Sequence, residues 1–334
     1  MNKYVFAFSC GLLLLVTATV QAQKEFPHDT SYYETYFDKL TTRIYASQKY
    51  VKFTIPSSGN IEDVEYNANT KLNLGMGVTW HNYSLNVFYG FSFLNKNNDI
   101  KGKTKGLDLQ LHLYPRKWSI DLLAVFPKGY YLYPQGYAAA NSNSYYTRPD
   151  VKMTLLGVSA YQVPNKKKFS YRAALVQNEW QKKSAGSLLY GGEICSATIQ
   201  GDSTLVPKSV QSSFPQAGIN KINFLSVGPA IGYAYTVVMA QHFFITGSVI
   251  GNLDINFTKE SLSGVQKKKT GINPVAVYKA AIGYNSSNWS ISANIAGNAV
   301  WAKSAASPKD YLLKAGAYRL ALAKKFTIHR RHHS

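Results

Sequence analysis

The sequence is poor in cysteine, and this shortage removes one class of protein. Its 334 residues include two cysteines, Cys10 and Cys195, and Cys10 lies in an N-terminal apolar run. Once that run is removed by processing, Cys195 is alone and no intramolecular disulfide can form. We therefore exclude a disulfide-stabilised secreted scaffold and expect Cys195 to pack as a small apolar side chain.

Acidic residues are also scarce: 17 stand against 37 lysines and arginines, for a formal net charge of +20. In a cytosolic chain this excess would suggest a nucleic acid partner, but the secretory signal described below argues against one. The lysines cluster in links between apolar runs, as at Lys166–Lys168 and Lys267–Lys269. We interpret them as solvated turns beside anionic lipid headgroups or, alternatively, as groups that steer anionic solutes towards a pore.

A long hydrophobic run is absent beyond residue 22. Residues 1–22 have a short basic start, an apolar stretch over 5–20 and the small-residue site Val20-Gln21-Ala22, which predict a signal peptide cleaved before Gln23. The remaining chain has no apolar run long enough for a membrane-spanning helix. Such an exported chain is a soluble periplasmic or secreted protein, or an outer-membrane β-barrel.

What the chain has instead is strict alternation of apolar and polar residues, clearest over 71–81, 83–93 and 104–114. Period-two alternation puts successive side chains on opposite faces of a strand, and runs of about ten residues suit tilted transmembrane strands. The 25 tyrosines and 16 phenylalanines suit the aromatic belts of a barrel. The sequence of a soluble β-sandwich would also alternate between apolar and polar residues. Here, however, the residues on the polar side are small and uncharged, and short turns recur regularly along the chain.

Thirteen strand candidates follow from this pattern: 43–55, 71–81, 83–93, 104–114, 118–133, 151–164, 169–181, 187–199, 221–237, 242–258, 274–286, 288–302 and 311–325. Bacterial single-chain barrels have an even strand number, and short and long links alternate except at 181–187. If that stretch is a bend within one strand, the count is twelve, with ten and fourteen still open. The sequence therefore predicts an all-β, transmembrane, antiparallel up-and-down barrel over 43–326. A periplasmic lead-in over 23–42 precedes it, and a basic tail over 327–334 follows.

Several motifs resemble an uncharacterised family of outer-membrane barrels from Gram-negative bacteria, domain of unknown function 4421. The matching stretches are Asp38-Lys39-Leu40 with Arg43-Ile44-Tyr45, Tyr66-Asn67-Ala68-Asn69, Gly102-Lys103-Thr104-Lys105-Gly106, Lys128-Gly129-Tyr130-Tyr131-Leu132, Gln181-Lys182-Lys183-Ser184-Ala185-Gly186-Ser187 and Gly228-Pro229-Ala230-Ile231-Gly232-Tyr233. The family more usually has proline where Ala68 stands. The resemblance implies a barrel fold and an outer-membrane location, and it implies no catalytic residue.

Polar residues predicted to face the lumen are the candidate site. They are Asn73, His81, Asp108, Gln110, His112, Arg172 and Arg319. A His–Asp arrangement is more often a satisfied polar network than a catalytic dyad, and Ser159 in Gly157-Val158-Ser159-Ala160-Tyr161 lacks the second glycine of a nucleophile elbow. The histidines of the C-terminal tail, His329, His332 and His333, lack the spacing of a structural metal site. We expect no enzyme, no metal and no cofactor.

Three function classes remain open at this point. The first is passive transport or binding of small solutes, with anions favoured if the lumen is open. A structural or interaction barrel with a filled lumen, serving a surface complex, is the alternative, and a lipid-modifying barrel enzyme is the third. The expected partners are outer-membrane lipids, small anionic solutes and unidentified proteins, and no nucleic acid. A barrel of about twelve strands lies between the filled small barrels and the open porins, so size does not decide.

Overall fold

The computed structural model describes residues 27–59, 61–80, 83–94, 97–262 and 264–327, and most of them lie in strands. The strands are β1 Tyr33–Thr35, β2 Lys39–Ile55, β3 Val64–Asn67, β4 Leu72–Trp80, β5 Tyr83–Tyr89, β6 Asp108–Leu113, β7 Trp118–Val125, β8 Lys128–Tyr133, β9 Thr147–Gln162, β10 Glu179–Gln181, β11 Ala185–Gln200, β12 Lys221–Met239, β13 Phe243–Leu262, β14 Val265–Asn285, β15 Trp289–Ala302 and β16 Tyr311–Thr327. The helical pieces are α1 Asn98–Lys101, α2 Tyr171–Leu175 and 3₁₀ turns at Ser92–Leu94 and Lys208–Ser213. None of the helices in these described ranges is long and apolar enough to cross a membrane.

Ten strands form a closed antiparallel barrel. Strands β11 to β16 pair in chain order, β16 pairs with β2, and β3, β8 and β9 complete the circle back to β11. Closure leaves these ten strands without the free backbone edges that an open sheet would expose. The predicted all-β barrel is confirmed, and its strand number is close to the predicted twelve.

At one end of the barrel, four further strands replace two of these ten strands in the wall. There β4 and β5 extend from β2, and β7 and β6 extend from β9, in place of β3 and β8. This end has twelve strands and the short links after β6, β12 and β14, and we call it the turn end. The opposite end has ten strands and the links 56–63, 134–146, 201–220 and 303–310, and we call it the loop end.

The wall has a gap at the turn end. In the described residues β5 pairs only with β4, and β6 pairs only with β7, although β5 and β6 are consecutive along the chain. We call the gap between β5 and β6 the seam. On the side nearer the loop end, Lys49 of β2 reaches β6, with its Nζ 2.9 Å from Oδ1 of Asp108.

Apolar side chains cover the outside of the wall, as the alternation predicts. Leu74, Leu109 and Ile291 are 42%, 51% and 47% exposed, whereas Ser292 on the inner face is 1% exposed. An apolar outer face with small polar residues inside is the arrangement of a transmembrane barrel. The apolar residues of these alternating runs therefore lie on the outer face of the wall.

The loop end of the lumen is filled by an apolar core. Segment 201–220 folds inward and buries Leu205, Val206, Phe214 and Ile219 among wall residues. Nη1 of Arg148 donates a hydrogen bond of 2.8 Å to the carbonyl oxygen of Thr204, which fixes the segment to β9. We call 201–220 the loop-end plug.

The turn end is filled by residues 163–184, which we call the turn-end plug. The prediction of a strand over 169–181 is wrong: this stretch contains α2, capped by Ser170, and the short β10. It lies inside the barrel, where the hydroxyl of Tyr171 is 2.7 Å from Oγ of Ser248 on β13. The bend proposed at 181–187 is therefore also wrong, and the even strand count arises because 169–181 leaves the wall.

Smaller corrections concern the ends of the strands. The lead-in forms β1, which pairs with β10 and covers the turn-end plug. The candidate 118–133 is two strands that meet at Phe126 and Pro127, and 259–273 is a continuation of the β13–β14 hairpin rather than a loop. Cys195 is free and buried, as expected. The predicted signal peptide and nearly all of the predicted tail lie outside the described residues.

Candidate functional site

A small cavity lies between the two plugs, at mid-height in the lumen. Its volume is about 40 Å³, and its polar lining includes Gln110, His112, Asp121, Glu193 and Lys279. About 10–15 Å³ of this kind of volume is needed to hold one water molecule. The cavity therefore has room for a few water molecules.

One side of this cavity carries a chain of charged hydrogen bonds. Nδ1 of His112 is 2.6 Å from Oδ1 of Asp121, and Nζ of Lys279 is 2.9 Å from Oδ2 of the same carboxylate. The Lys279 ammonium also donates to Oγ of Ser119 at 3.0 Å. The charges of this group balance internally, which is what a buried ionic cluster needs to be tolerated.

A second pair of acids, Glu193 and Asp254, also faces the lumen. The hydroxyl of Tyr161 lies 3.3 Å from Oε2 of Glu193, and Ser226 donates to Asp254 at 2.8 Å. Within the described ranges, no group of three or more histidine, cysteine or acidic side chains could hold a metal ion. These acids stay hydrogen-bonded to hydroxyl groups.

The cavity also contains a serine hydroxyl group. Ser159 lines it beside His112 and Asp121. No hydrogen bond joins Ser159 to His112 in the part of the chain that the structure describes, and acyl transfer by a serine needs that contact. Asp121 instead contacts both His112 and Lys279 and lies between them in the chain of charged hydrogen bonds.

A different feature appears nearer the turn end, beside the seam. Arg43 of β2 is 4% exposed, and its guanidinium donates to two neutral acceptors, Oδ1 of Asn86 at 3.2 Å and Oγ1 of Thr79 at 2.5 Å. Arg319 of β16 lies over the ring of Tyr45, 4.7 Å from its centroid. Neither arginine forms an ion pair with any described residue. We call Arg43 and Arg319 the arginine pair.

Two glycines let the side chains of β2 reach the strand that borders the seam. Gly75 and Gly77 of β4 lie between β2 and β5. A Cβ at Gly77 would lie 2.2 Å from Oδ1 of Asn86 and 2.8 Å from Cγ of Arg43, and one at Gly75 would lie 2.3 Å from Cζ of Tyr45. The side chains of Arg43 and Tyr45 therefore lie across β4, with the guanidinium next to β5.

The predicted site residues occupy separate places rather than one cluster. Asp108, Gln110 and His112 share the inner face of β6, where Asp108 pairs with Lys49. Arg172 is on α2 in the turn-end plug and pairs with Glu179 at 3.4 Å; burial lowers the pKa of Arg172, and the charge of Glu179 opposes that shift. The side-chain amide of Asn73 donates a hydrogen bond to the carbonyl oxygen of Lys71. Arg319 lies with Arg43, and His81 is outside the described residues.

Sequence analysis missed Arg43 and Lys279. Each is an inward-facing charge within a strand whose other inward residues are mostly uncharged. That pattern is visible in the sequence at Arg43, which falls on the polar side of an alternating run, whereas Lys279 falls between Val277 and Ala281 on its face of β14. The neighbours that decide whether such a charge is paired are on other strands, and the pattern of a single strand does not reveal them.

The closed antiparallel wall, apolar outside and polar inside, defines the chain as a transmembrane β-barrel protein. Residues 27–316 match the family described as Domain of unknown function (DUF4421), and the chain belongs to this family. No curated protein matches the chain.

Several solved structures are similar in outline at very low identity. OmpT of Vibrio cholerae is 9% identical, with 86% of this chain and 97% of that chain covered and a TM-score of 0.28. The translocator domain of the autotransporter NalP from Neisseria meningitidis is 6% identical, with 98% and 97% covered and a TM-score of 0.31. Two structures of Ail of Yersinia pestis are 8% and 11% identical, with 86% of this chain and 98–99% of that chain covered and TM-scores of 0.17–0.19. Likenesses at this level carry no argument about function.

Proposed function

We propose that this protein is an outer-membrane barrel that acts by binding a ligand rather than by passive diffusion through its lumen. The observation that carries the proposal is that both ends of the lumen are packed with the protein's own chain. The loop-end plug buries Phe214 and Ile219, and the turn-end plug buries Tyr171 and Leu175. The cavity of about 40 Å³ that remains between them has room for a few water molecules.

The outer membrane is the location that fits this architecture. The apolar outer wall needs a bilayer, and the predicted signal peptide would export the chain. Short turns of bacterial barrels face the periplasm, so the turn end and the seam would lie on the periplasmic side. Outer-membrane lipids are then the protein's immediate partners.

Two other functions compete with binding. An interaction barrel that serves a surface complex would have the same filled lumen, and its partner protein is unknown. Gated passage of anions is the second, because the arginine pair has no ion-pair partner among the described residues. Catalysis is not proposed, since no hydrogen bond between described residues connects a nucleophile to His112.

Conductance of the purified protein in a planar bilayer tests the proposal. We expect no steady current from the wild-type protein at any applied voltage. A persistent ohmic current would contradict a closed lumen. If gated openings occur instead, the reversal potential under a salt gradient gives their ion preference, and an anion preference would favour the gated passage.

A further inference from the structure

The arginine pair has no acidic partner among the described residues. Three other inner cations are paired: Lys49 with Asp108, Lys279 with Asp121 and Arg172 with Glu179. Lys325 of β16 also lacks an acidic partner, but its ammonium donates to three oxygens, those of Asn285, Ser286 and Ser290, whereas Nε of Arg43 has no acceptor. Arg319 lies over the ring of Tyr45, which is two residues from Arg43 on the same face of β2. Burying like charges together without an anion is costly.

We propose that the arginine pair binds the anionic headgroup of an amphiphile that enters from the bilayer through the seam. The headgroup is a carboxylate or phosphate, and its single apolar chain extends outwards. Arginine suits this role because its planar guanidinium presents several donors to such groups. In addition, Nε of Arg43 is buried and has no hydrogen-bond partner in the described structure, so one donor is available to a ligand.

The seam provides the route from the bilayer. The backbone groups along the facing edges of β5 and β6 have no strand partner in the described residues. Open sheet edges are not stable against lipid, but they are tolerated where they line a polar cavity. A headgroup between these edges would supply hydrogen-bond partners, and Asn86 of β5 already holds Arg43 at this position.

The surroundings of the seam suit an apolar chain. Phe88 points inwards from β5 and is 52% exposed, and the Lys49 ammonium lies 5.5 Å from its ring centroid. On the outer face, β5 borders an open apolar groove lined by residues that include Met76, Val87 and Leu320. A cationic inner part and an apolar outer part therefore lie on the two faces of the wall beside the seam.

This inference deepens the proposed binding function and rests on it. The test uses dodecyl phosphate as the probe, with the protein in dodecyl maltoside micelles and bound molecules counted by native mass spectrometry. We expect one dodecyl phosphate per barrel for the wild-type protein and at least about tenfold weaker binding for Arg43→Gln and for Arg319→Gln. Arg43→Lys keeps the charge and should retain part of the affinity.

Lys314→Gln is the matched charge control, because Lys314 is on the same strand as Arg319 but on the other face. It should bind the probe like the wild-type protein. Folding of every variant is checked by urea unfolding, so that a weak binder is not an unfolded one. Equal affinity in Arg43→Gln and in the wild-type protein would overturn the proposal.

A second arm distinguishes an amphiphile from a free anion. In a Cys195→Ser background, Val87→Cys and Leu111→Cys are joined by a short bismaleimide to lock the seam. The control joins Val227→Cys to Ile255→Cys, which are opposite each other on the outer face of the paired strands β12 and β13, away from the seam. The locked seam should abolish binding and the control should not.

Binding of dodecyl phosphate that persists in the locked protein, or equally tight binding of inorganic phosphate, would show a free-anion site and overturn the proposal. Absence of any binding would also overturn it. The conductance measurement is independent of these results, so the closed lumen can stand when the amphiphile site fails.

Discussion

At the scale of single residues, the glycines of β4 determine where Arg43 can lie. We expect Gly77→Ala to destabilise the barrel by about 1–3 kcal/mol, because the new methyl group would overlap the side chains of Asn86 and Arg43. Urea unfolding of the refolded protein in lipid vesicles measures the change. Gly251→Ala is the control, since a Cβ there meets nothing within 4 Å, and an equal loss in both variants would contradict the explanation.

Adjacent residues on β6 test the two faces of the wall. Leu109 faces outwards and Gln110 faces the lumen. Leu109→Arg should cost about 2–4 kcal/mol if it lies near the bilayer midplane, because a charge on the lipid face is poorly solvated. Gln110→Arg should cost much less. Equal costs in the same unfolding assay would show that the two faces are wrongly assigned.

The sequence was informative about the face of each residue and poor at finding its partners. Alternation placed Asp108 and His112 inside correctly, because period two depends only on the strand that carries them. The pairing of His112 with Asp121 depends on the register between β6 and β7. Arg43 was missed for the same reason. Whether an acidic side chain lies near its guanidinium depends on the neighbouring strands β4, β5 and β16, and the sequence of β2 alone does not show this.

At the scale of elements, the turn-end plug depends on Glu179. Its carboxylate is 2% exposed and pairs with Arg116 at 2.8 Å and with Arg172 at 3.4 Å. Glu179→Gln should destabilise the protein by about 3 kcal/mol, since it removes the buried carboxylate that both arginines contact. Limited trypsin cleavage at Lys166–Lys168, together with urea unfolding, measures the loosened plug.

The control for this prediction is Glu34→Gln. Glu34 is 44% exposed and its Oε2 lies 3.7 Å from Nζ of Lys182, so its loss should cost less than about 1 kcal/mol. If Glu179→Gln is as stable and as resistant to trypsin as Glu34→Gln, the ion pairs do not hold the plug.

The same plug explains the main error in the predicted elements. Residues 169–181 contain apolar side chains such as Phe169, Tyr171 and Leu175 that are buried inside the barrel. A segment packed within a lumen needs apolar residues just as a wall strand does, so composition does not separate the two. The helix cap at Ser170 is a local signal, but α2 has only five residues, too few for a helical period to be visible.

At the scale of the whole molecule, we predict that the mature chain begins at Gln23 and sediments with the outer membrane. The apolar wall and the predicted signal peptide are the reasons. Intact mass spectrometry gives the first residue, and membrane fractionation gives the location. A soluble periplasmic product would contradict the transmembrane assignment.

The seam could not have been predicted from the sequence. The runs at 83–93 and 104–114 alternate as well as those of any paired strands, and consecutive strands normally pair with each other. Whether β5 and β6 meet depends on the circumference of the barrel at the turn end, which the whole wall determines.

The seam lies between two strands that are consecutive along the chain, whereas the first and last long strands of the barrel pair with each other. Lys39 and Thr327, the ends of β2 and β16, are directly opposite each other, and these two strands pair along almost their whole length. The link between β5 and β6, by contrast, joins strands that share no described pairing. A circular permutant that connects the natural ends and opens the chain within 97–107 therefore loses no described strand pairing.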